Sequence, residues 1–361
     1  MSDNQKKTTT SLSSFDSLKA SLSGLAVGTL FGYALQRSKV FLPIVIQQQM
    51  QFTNFTMLKM FMTASLTSSL TITALNKAKL IKFEYLPVMW HRNLLGGLLM
   101  GAGIYVTGAC PGTVLAQVGS GVTSAYYTLL GGLLGAVLYG YADPYVTKLM
   151  PASPPTVKPT LFQRLNTSME KTTIPFALMA GAMLYGIESL IPWQADSNVS
   201  LSISAIQSLS TSVWSPYVAG VLIGLLQAPS YFLANNGLGC SSAYVTMSAK
   251  VCDAFNCGVS YFNKFANGVR SVYGPMLNIG IILGAYLSSQ TSPVPDSQKL
   301  LSHSPLFHIG AGALLLFGAR MANGCTSGHG LTGMAKMELG SIITVAALFG
   351  GGMLTAALTN L

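Results

Sequence analysis

Long apolar runs separated by short polar connections set the pattern of the chain. The runs are Gly24 to Ile46, Phe55 to Leu75, Leu94 to Ser120, Ser124 to Ala142, Ile174 to Pro192, Pro216 to Met247, Ser271 to Leu287, Phe307 to Ala335 and Gly340 to Leu358. A helix needs about 20 residues to cross a bilayer, so the pattern predicts an all-α integral membrane protein of about nine spans. Several runs exceed one crossing, and those are interrupted by Gly, Pro or Cys. They are expected to be pairs of half-helices that re-enter and meet at mid-membrane. Lipid leaves unpaired amides unsatisfied, so irregular backbone at that depth must be packed in protein or line a polar cavity.

Two interruptions stand out. Asn323-Gly324-Cys325-Thr326-Ser327-Gly328-His329-Gly330-Leu331-Thr332-Gly333 combines a thiol, an imidazole, three hydroxyls and four glycines between apolar runs. Thr107-Gly108-Ala109-Cys110-Pro111-Gly112-Thr113 resembles it, and setting Cys110 on Cys325 also sets Gly97 on Gly312 and Gly103 on Gly318. Matched breaks in two halves of a membrane protein point to a transport site.

Basic residues orient the spans. Lys6, Lys7 and Lys19 precede the first run, and Lys77, Lys79, Lys82 and Arg92 follow the second. Lys148, Lys158, Arg164 and Lys171 follow the fourth; Lys250, Lys264 and Arg270 follow the sixth. The alternate connections hold only Lys299, so the bias is fourteen to one. Basic connections stay inside, which places the N-terminus in the cytoplasm and the C-terminus, after an odd number of crossings, outside. Gly28, Gly32 and Gln36 resemble Gly220, Gly224 and Gln227 with a one-residue slip, yet their runs start on opposite faces. The halves therefore read as an inverted repeat. The expected organisation is a polar cytoplasmic tail (1–23), a first half-repeat (24–142), a cytoplasmic linker with five prolines (143–173), a connecting span (174–192) and a second half-repeat (193–361).

Composition agrees: charged residues make up 8% of the chain and hydrophobic ones 50%, against about 25% charged in soluble domains. No cleavable signal peptide is expected from the polar, Ser- and Thr-rich start. The net charge of +10 records membrane orientation rather than nucleic-acid binding. The five cysteines show no paired framework and are expected to be free thiols. Cys252 and Cys257 lack partners for zinc and are assigned no role.

A thiol is a weak donor and a polarizable group, better suited to a soft sulfur-bearing anion than to chloride or phosphate. Gly108, Gly112, Gly324 and Gly328 permit close approach, and Thr113, Thr326, Ser327 and Ser124 offer hydroxyls. Arg320 and Lys336 bracket the second break, and ionisable groups at membrane depth are functional candidates. His329 either orients a hydroxyl or is satisfied by backbone carbonyls. Gln117 and Asn323 are expected to cap broken helices. The group Met57, Met60 and Met62 reads as span packing. Small residues also let helices pack closely, but two copies at matched positions weigh against packing alone.

The strings Gly-Ala-Cys-Pro-Gly (108–112), Asn-Gly-Cys-Thr-Ser-Gly-His-Gly (323–330), Leu-Gln-Arg-Ser-Lys-Val-Phe (35–41) and Gly-Leu-Gly-Cys-Ser-Ser (237–242) resemble the YeeE/YedE sulfur-transport family. The resemblance implies an hourglass-shaped protein with inverted halves that takes up thiosulfate, passing it between cysteines by S–H to sulfur hydrogen bonds. Cys110 and Cys325 match the family's central cysteines. Bacterial members carry a further relay cysteine just after Gln-Arg-Ser, where this chain has Lys39-Val40-Phe41-Leu42. Cys240, in the related segment of the second half, either supplies that thiol from the other side or packs in its Gly-Leu-Gly turn.

The expected function is import of thiosulfate or a related small sulfur anion, with the lipid bilayer as surroundings, no cofactor and no nucleic-acid partner. The cell surface is the leading location, and oligomeric state stays open. A membrane thiol oxidoreductase or sulfurtransferase is the alternative, together with a small-solute channel of other specificity. No Cys-x-x-Cys motif, dinucleotide fingerprint in a strand-to-helix setting or nucleotide-binding loop favours an enzyme or ATP drive.

Overall fold

The computed structural model describes residues 14–81, 83–197, 199, 203–254, 258–301 and 303–359. Cys257, Lys82, Lys6 and Lys7 lie outside them. Within the described residues the chain is helical, without strands, and carries one isolated antiparallel bridge between Thr160 and Glu338. In order the helices are α1 (Ser14–Arg37), α2 (Pro43–Met50), α3 (Thr56–Lys77), α4 (Trp90–Thr107), α5 (Pro111–Gly119), α6 (Thr123–Leu149), α7 (Leu161–Arg164) and α8 (Met169–Leu190). Then come α9 (Trp193–Asp196), α10 (Pro216–Leu225), α11 (Gln227–Ala234), α12 (Ser241–Ala254), α13 (Ser260–Ala266), α14 (Arg270–Ser289), α15 (Pro305–Met321) and α16 (Leu339–Thr359).

Prolines open α2, α5, α10 and α15, where a missing N–H costs nothing. Ser215 and Ser304 cap α10 and α15 by accepting from the Val218 and Phe307 amides.

Six segments among the described residues are long and apolar enough to cross a membrane: Phe15–Arg37, Trp90–Gly119, Met169–Leu190, Pro216–Ala234, Arg270–Ser289 and Leu339–Thr359. The protein is thus a multi-pass membrane protein. The helix α15 is apolar but shorter. The helix α3 is long enough but carries Thr63, Ser65, Ser68, Ser69 and Thr73 on its buried side, so its polar groups turn toward other helices and lower its apolarity.

Several element bounds differ from the sequence pattern. The helix α1 starts at Ser14 instead of Gly24 and stops at Arg37, leaving α2 separate. The helix α6 runs through Pro144 to Leu149, into the stretch expected to be an extended linker. The rest of that linker straps back onto the core: Leu161 N–H donates to Met337 C=O, Leu339 N–H to Pro159 C=O and Ser153 N–H to Val88 C=O. The run from Pro216 to Met247 divides into α10, α11 and α12. Cys252 is disulfide-bonded, which corrects the expectation that every cysteine is a free thiol; the spacing alone gave no reason to pair it.

The long helices pack in pairs drawn from the two halves of the chain. The helix α1 lies against α14 and α10 against α3; α6 lies against α15 and α16 against α4. In the alignment that sets Cys110 on Cys325, Gly103 corresponds to Gly318 and Met100 to Leu315. A Cβ on Gly103 would stand 2.6 Å from Leu315 Cα, and one on Gly318 would stand 2.4 Å from the Met100 amide. The contact is therefore its own image, and only glycine permits that approach.

The peripheral helix α8 is pinned by charge. Lys59, fully buried, pairs with Glu188 at 3.2 Å and Asp196 at 3.3 Å. Tyr217 donates to the Glu188 carboxylate at 2.6 Å.

Candidate functional site

The first break forms where α4 ends. Gly108 adopts φ 61°, ψ 32°, a left-handed conformation that costs glycine little, and packs against Pro43. Two residues on, Cys110 is the N-cap of α5: its Sγ accepts from the Thr113 amide at 3.4 Å while Thr113 Oγ1 accepts from the Cys110 amide at 2.6 Å. This is a reciprocal capping box with sulfur in the usual oxygen's place. Gln117 Nε2 donates to the Gly108 and Phe41 carbonyls, each at 2.8 Å, which satisfies the carbonyl that the break frees.

The second break has the same beginning. Asn323, also two residues before its cysteine, takes φ 64°. After Cys325 the chain makes a wide π-helical turn over Ser327–Gly333, with His329 N–H donating to the Cys325 carbonyl at 2.8 Å and Met334 N–H to the His329 carbonyl at 2.7 Å. The segment between α11 and α12 brings in Cys240.

These segments meet, and Cys110, Cys240 and Cys325 are buried free thiols. Ser327 Oγ lies 3.2 Å from Cys325 Sγ and donates to Cys240 Sγ at 3.5 Å. The Ser241 amide donates to Cys325 Sγ at 3.4 Å. Gly112 lies between the other two sulfurs: a Cβ there would be 3.4 Å from Cys240 Sγ and 4.0 Å from Cys110 Sγ. Tyr244 Oη donates to the Pro111 carbonyl at 2.8 Å, and Asn278 Nδ2 to the Cys240 carbonyl at 3.3 Å. Both bonds tie the second half of the chain to this junction.

A vestibule of about 500 Å3 reaches Cys325 and Gly328 from the end of the molecule that carries Lys264, Arg270, Arg320 and Lys336. Lys264 pairs with Asp143, Arg270 with Glu84 and Lys336 with Glu338. Arg320, 2% exposed, has no carboxylate partner among the described residues. Its guanidinium donates instead to Tyr261 Oη at 2.9 Å, Ser241 Oγ at 3.2 Å and Asn323 Oδ1 at 3.4 Å, and stacks over Phe265. A buried guanidinium held by neutral groups keeps its charge available to an anion. No cluster of metal-ligating residues occurs among the described residues.

Residues 37–354 match the family model described as Sulphur transport. The chain belongs to the sulphur transport family. It is 23% identical over 333 residues to the thiosulfate transporter TsuA of Escherichia coli, covering 88% of each chain. It is 23% identical over 330 residues to the thiosulfate transporter TsuA of Spirochaeta thermophila, covering 88% of this chain and 92% of that one. A probable transporter of Xylella fastidiosa is 28% identical over 143 residues, which are 40% of this chain and 92% of the relative. The family and these relatives are transporters, so the protein is a membrane transporter of sulfur compounds and not an enzyme.

Of the residues singled out in this family member, Cys110, Cys240, Cys325, Gly112, Thr113, Thr326, Ser327 and Gly328 gather around the sulfur cluster, and Arg320 borders the vestibule. Gly108 and Gly324 stand back from the sulfurs. Gly324 makes room for His329, whose Nε2 a Cβ there would meet at 2.7 Å. Both imidazole nitrogens are engaged, Nδ1 with Ser341 Oγ at 2.9 Å and Nε2 with the Ala322 carbonyl at 3.0 Å. His329 thus locks the turn to α16. Ser124 begins α6 and lines neither the vestibule nor the chamber over Cys110. Lys336 is held by Glu338 at 2.6 Å and by the Glu84 carbonyl at 3.2 Å. Sequence reading missed Ser241 and Asn278, which bond to the cysteine segments, Tyr261, which holds Arg320, and Phe61; Met57 and Met60 pack in the core as expected and, with Phe61, also face Cys110 across a small cavity. Ser241 had a signal, since it follows Cys240 in a string already singled out. Asn278 and Phe61 lie in runs where packing and site residues look alike, and Tyr261 lies in a connection between runs.

Proposed function

We propose that the protein imports thiosulfate, or a closely similar small sulfur anion, handing its terminal sulfur along Cys110, Cys240 and Cys325. The observation that carries this reading is the junction itself: three buried free thiols from three segments, linked by the Ser327 hydroxyl and by the space over Gly112. A thiol donates to soft sulfur and accepts from a neighbouring hydroxyl, so the anion exchanges one weak hydrogen bond for the next without a covalent step. Weak sites in series let an ion leave as well as enter. Arg320 receives the charge at the vestibule end. The name thiosulfate transporter, borne by two relatives that match along most of their length, supports the substrate.

The relay position absent at Lys39-Val40-Phe41-Leu42 is offset by Cys240, which stands between the other two thiols. Nine spans arranged as two inverted halves (24–142 and 193–361) around a connecting span (174–192) fit the helix pairs drawn from both halves, the self-imaging contact of Gly103 and Gly318, and a relative matched nearly whole by 143 residues. The excess of basic residues in alternate connections supports a cytoplasmic N-terminus and vestibule, and the cell surface is the location that an import role favours.

Uptake of labelled thiosulfate by cells lacking their own importers tests the function. Uptake that excess unlabelled thiosulfate suppresses and excess sulfate does not is the expected result. Absent uptake, or equal suppression by sulfate, contradicts it.

A further inference from the structure

A second cavity, of about 40 Å3, lies against Cys110 and Gly112. It sits on the far side of the sulfur cluster from the vestibule: Met57 and Met60 at the start of α3 line it, whereas Phe83, beyond the end of α3, lines the vestibule. Most of its wall is apolar, from Phe31, Leu35, Val40, Met57, Met60 and Phe61; the Thr113 and Ser327 hydroxyls that also border it are engaged with the cysteines. Phe61 closes it firmly, because its ring fills the space beside Gly330.

One feature does not fit a void that is merely unfilled. Thr326 lines this cavity, is 3% exposed, and its Oγ1 has no hydrogen-bond partner. A buried hydroxyl left unpaired is destabilising and calls for an explanation; a ligand that accepts from it supplies one. Residues 326 and 110 come from the two different breaks, so the cavity exists only where the halves join.

Resting on the function proposed above, we infer that this cavity is the subsite where the anion sheds water and enters sulfur-first. The terminal sulfur lies against the Met57 and Met60 thioethers, and the Thr326 hydroxyl donates to it before Cys110 does. The volume takes one group of that size, not an oxyanion with its hydration shell. Charged oxygens forced against this wall lose their water without repayment, whereas a soft, diffuse sulfur anion loses less. The apolar wall thereby adds a discrimination of thiosulfate from sulfate to the preference of the thiols for soft sulfur.

The test uses the full chain in cells lacking their own thiosulfate and sulfate importers, measuring uptake of both labelled anions. Met60→Ser and Leu35→Ser, which place a hydroxyl on the wall, are expected to lower the thiosulfate-to-sulfate uptake ratio about tenfold. A ratio within about twofold of the parent, in a variant that still takes up thiosulfate, overturns the subsite. No thiosulfate uptake by the parent chain overturns the proposed function itself. Thr326→Val serves where a wall variant fails to reach the membrane. Removing an unpaired hydroxyl is expected to leave thermal stability unchanged or raised while the thiosulfate KM rises about tenfold. Lowered stability with an unchanged KM shows that the hydroxyl is structural and overturns the assignment.

Discussion

Gly108 and Asn323 hold the same left-handed backbone conformation, φ 61° and φ 64°, each two residues before its cysteine. That turn releases each helix and directs Cys110 and Cys325 to a common junction. Glycine and asparagine are the residues that visit this region routinely. Gly108→Ala is expected to destabilise by about 1–2 kcal/mol from the backbone alone, with a further loss from contact with Pro43. Asn323→Gly keeps the turn but loses the acceptor for Arg320. Thermal unfolding in detergent checks both: Gly108→Ala melts lower, and Asn323→Gly melts between it and the parent.

Gly112→Ala separates folding from transport. The added methyl would meet Cys240 Sγ at 3.4 Å and Cys110 Sγ at 4.0 Å, ordinary contacts that the fold accepts, but it would occupy the space between the two sulfurs. The expected result is parent-like melting with uptake reduced at least about tenfold, since losing a site for the passing sulfur costs of the order of one hydrogen bond. By contrast, Gly32→Ala, whose methyl would lie 2.0 Å from the Ile281 carbonyl oxygen, is expected to lower the amount of folded protein in the membrane.

Arg320 carries charge that no acid among the described residues neutralises. Hydrogen bonds to a charged group are worth about 1.5–3 kcal/mol, so Arg320→Gln is expected to raise the uptake KM by about 10- to 100-fold. Arg320→Lys keeps the charge but loses the fork that engages Tyr261, Ser241 and Asn323, and is expected to fall between parent and Gln. Concentration-dependent uptake measures both.

Lys59 is buried between Glu188 and Asp196. Removing one partner of a buried pair strands the other charge, at a cost of about 3–5 kcal/mol. Lys59→Met is therefore expected to lower the melting temperature in detergent. A parent-like melt would show that the pair does not hold α8 and α9 to α3.

Much of this was legible in sequence. Excess run length and the Gly-Cys strings located both breaks, because lipid penalises irregular backbone unless protein or a cavity takes it up. The strings also brought the cysteines, Thr113, Thr326 and Ser327 into view. What stayed hidden depended on packing between distant segments. Met57, Met60 and Phe61 look like any apolar span until α1 and the π-helical turn close over them. Lys59 sits in an apolar run, and its partners lie more than a hundred residues away. His329 had the chemistry of a ligand, but its two nitrogens are committed to Ala322 and Ser341, a pairing that no local spacing announces. Nor does the linker's proline content reveal that it folds back on Met337 and Leu339.

The central claim, that the thiols of the two breaks carry the passing anion, is tested most directly by labelled thiosulfate uptake with the Cys110→Ala, Cys325→Ala double variant. The expected result is uptake at the level of cells without the protein, while the variant reaches the membrane in parent-like amount. Undiminished uptake would contradict the account.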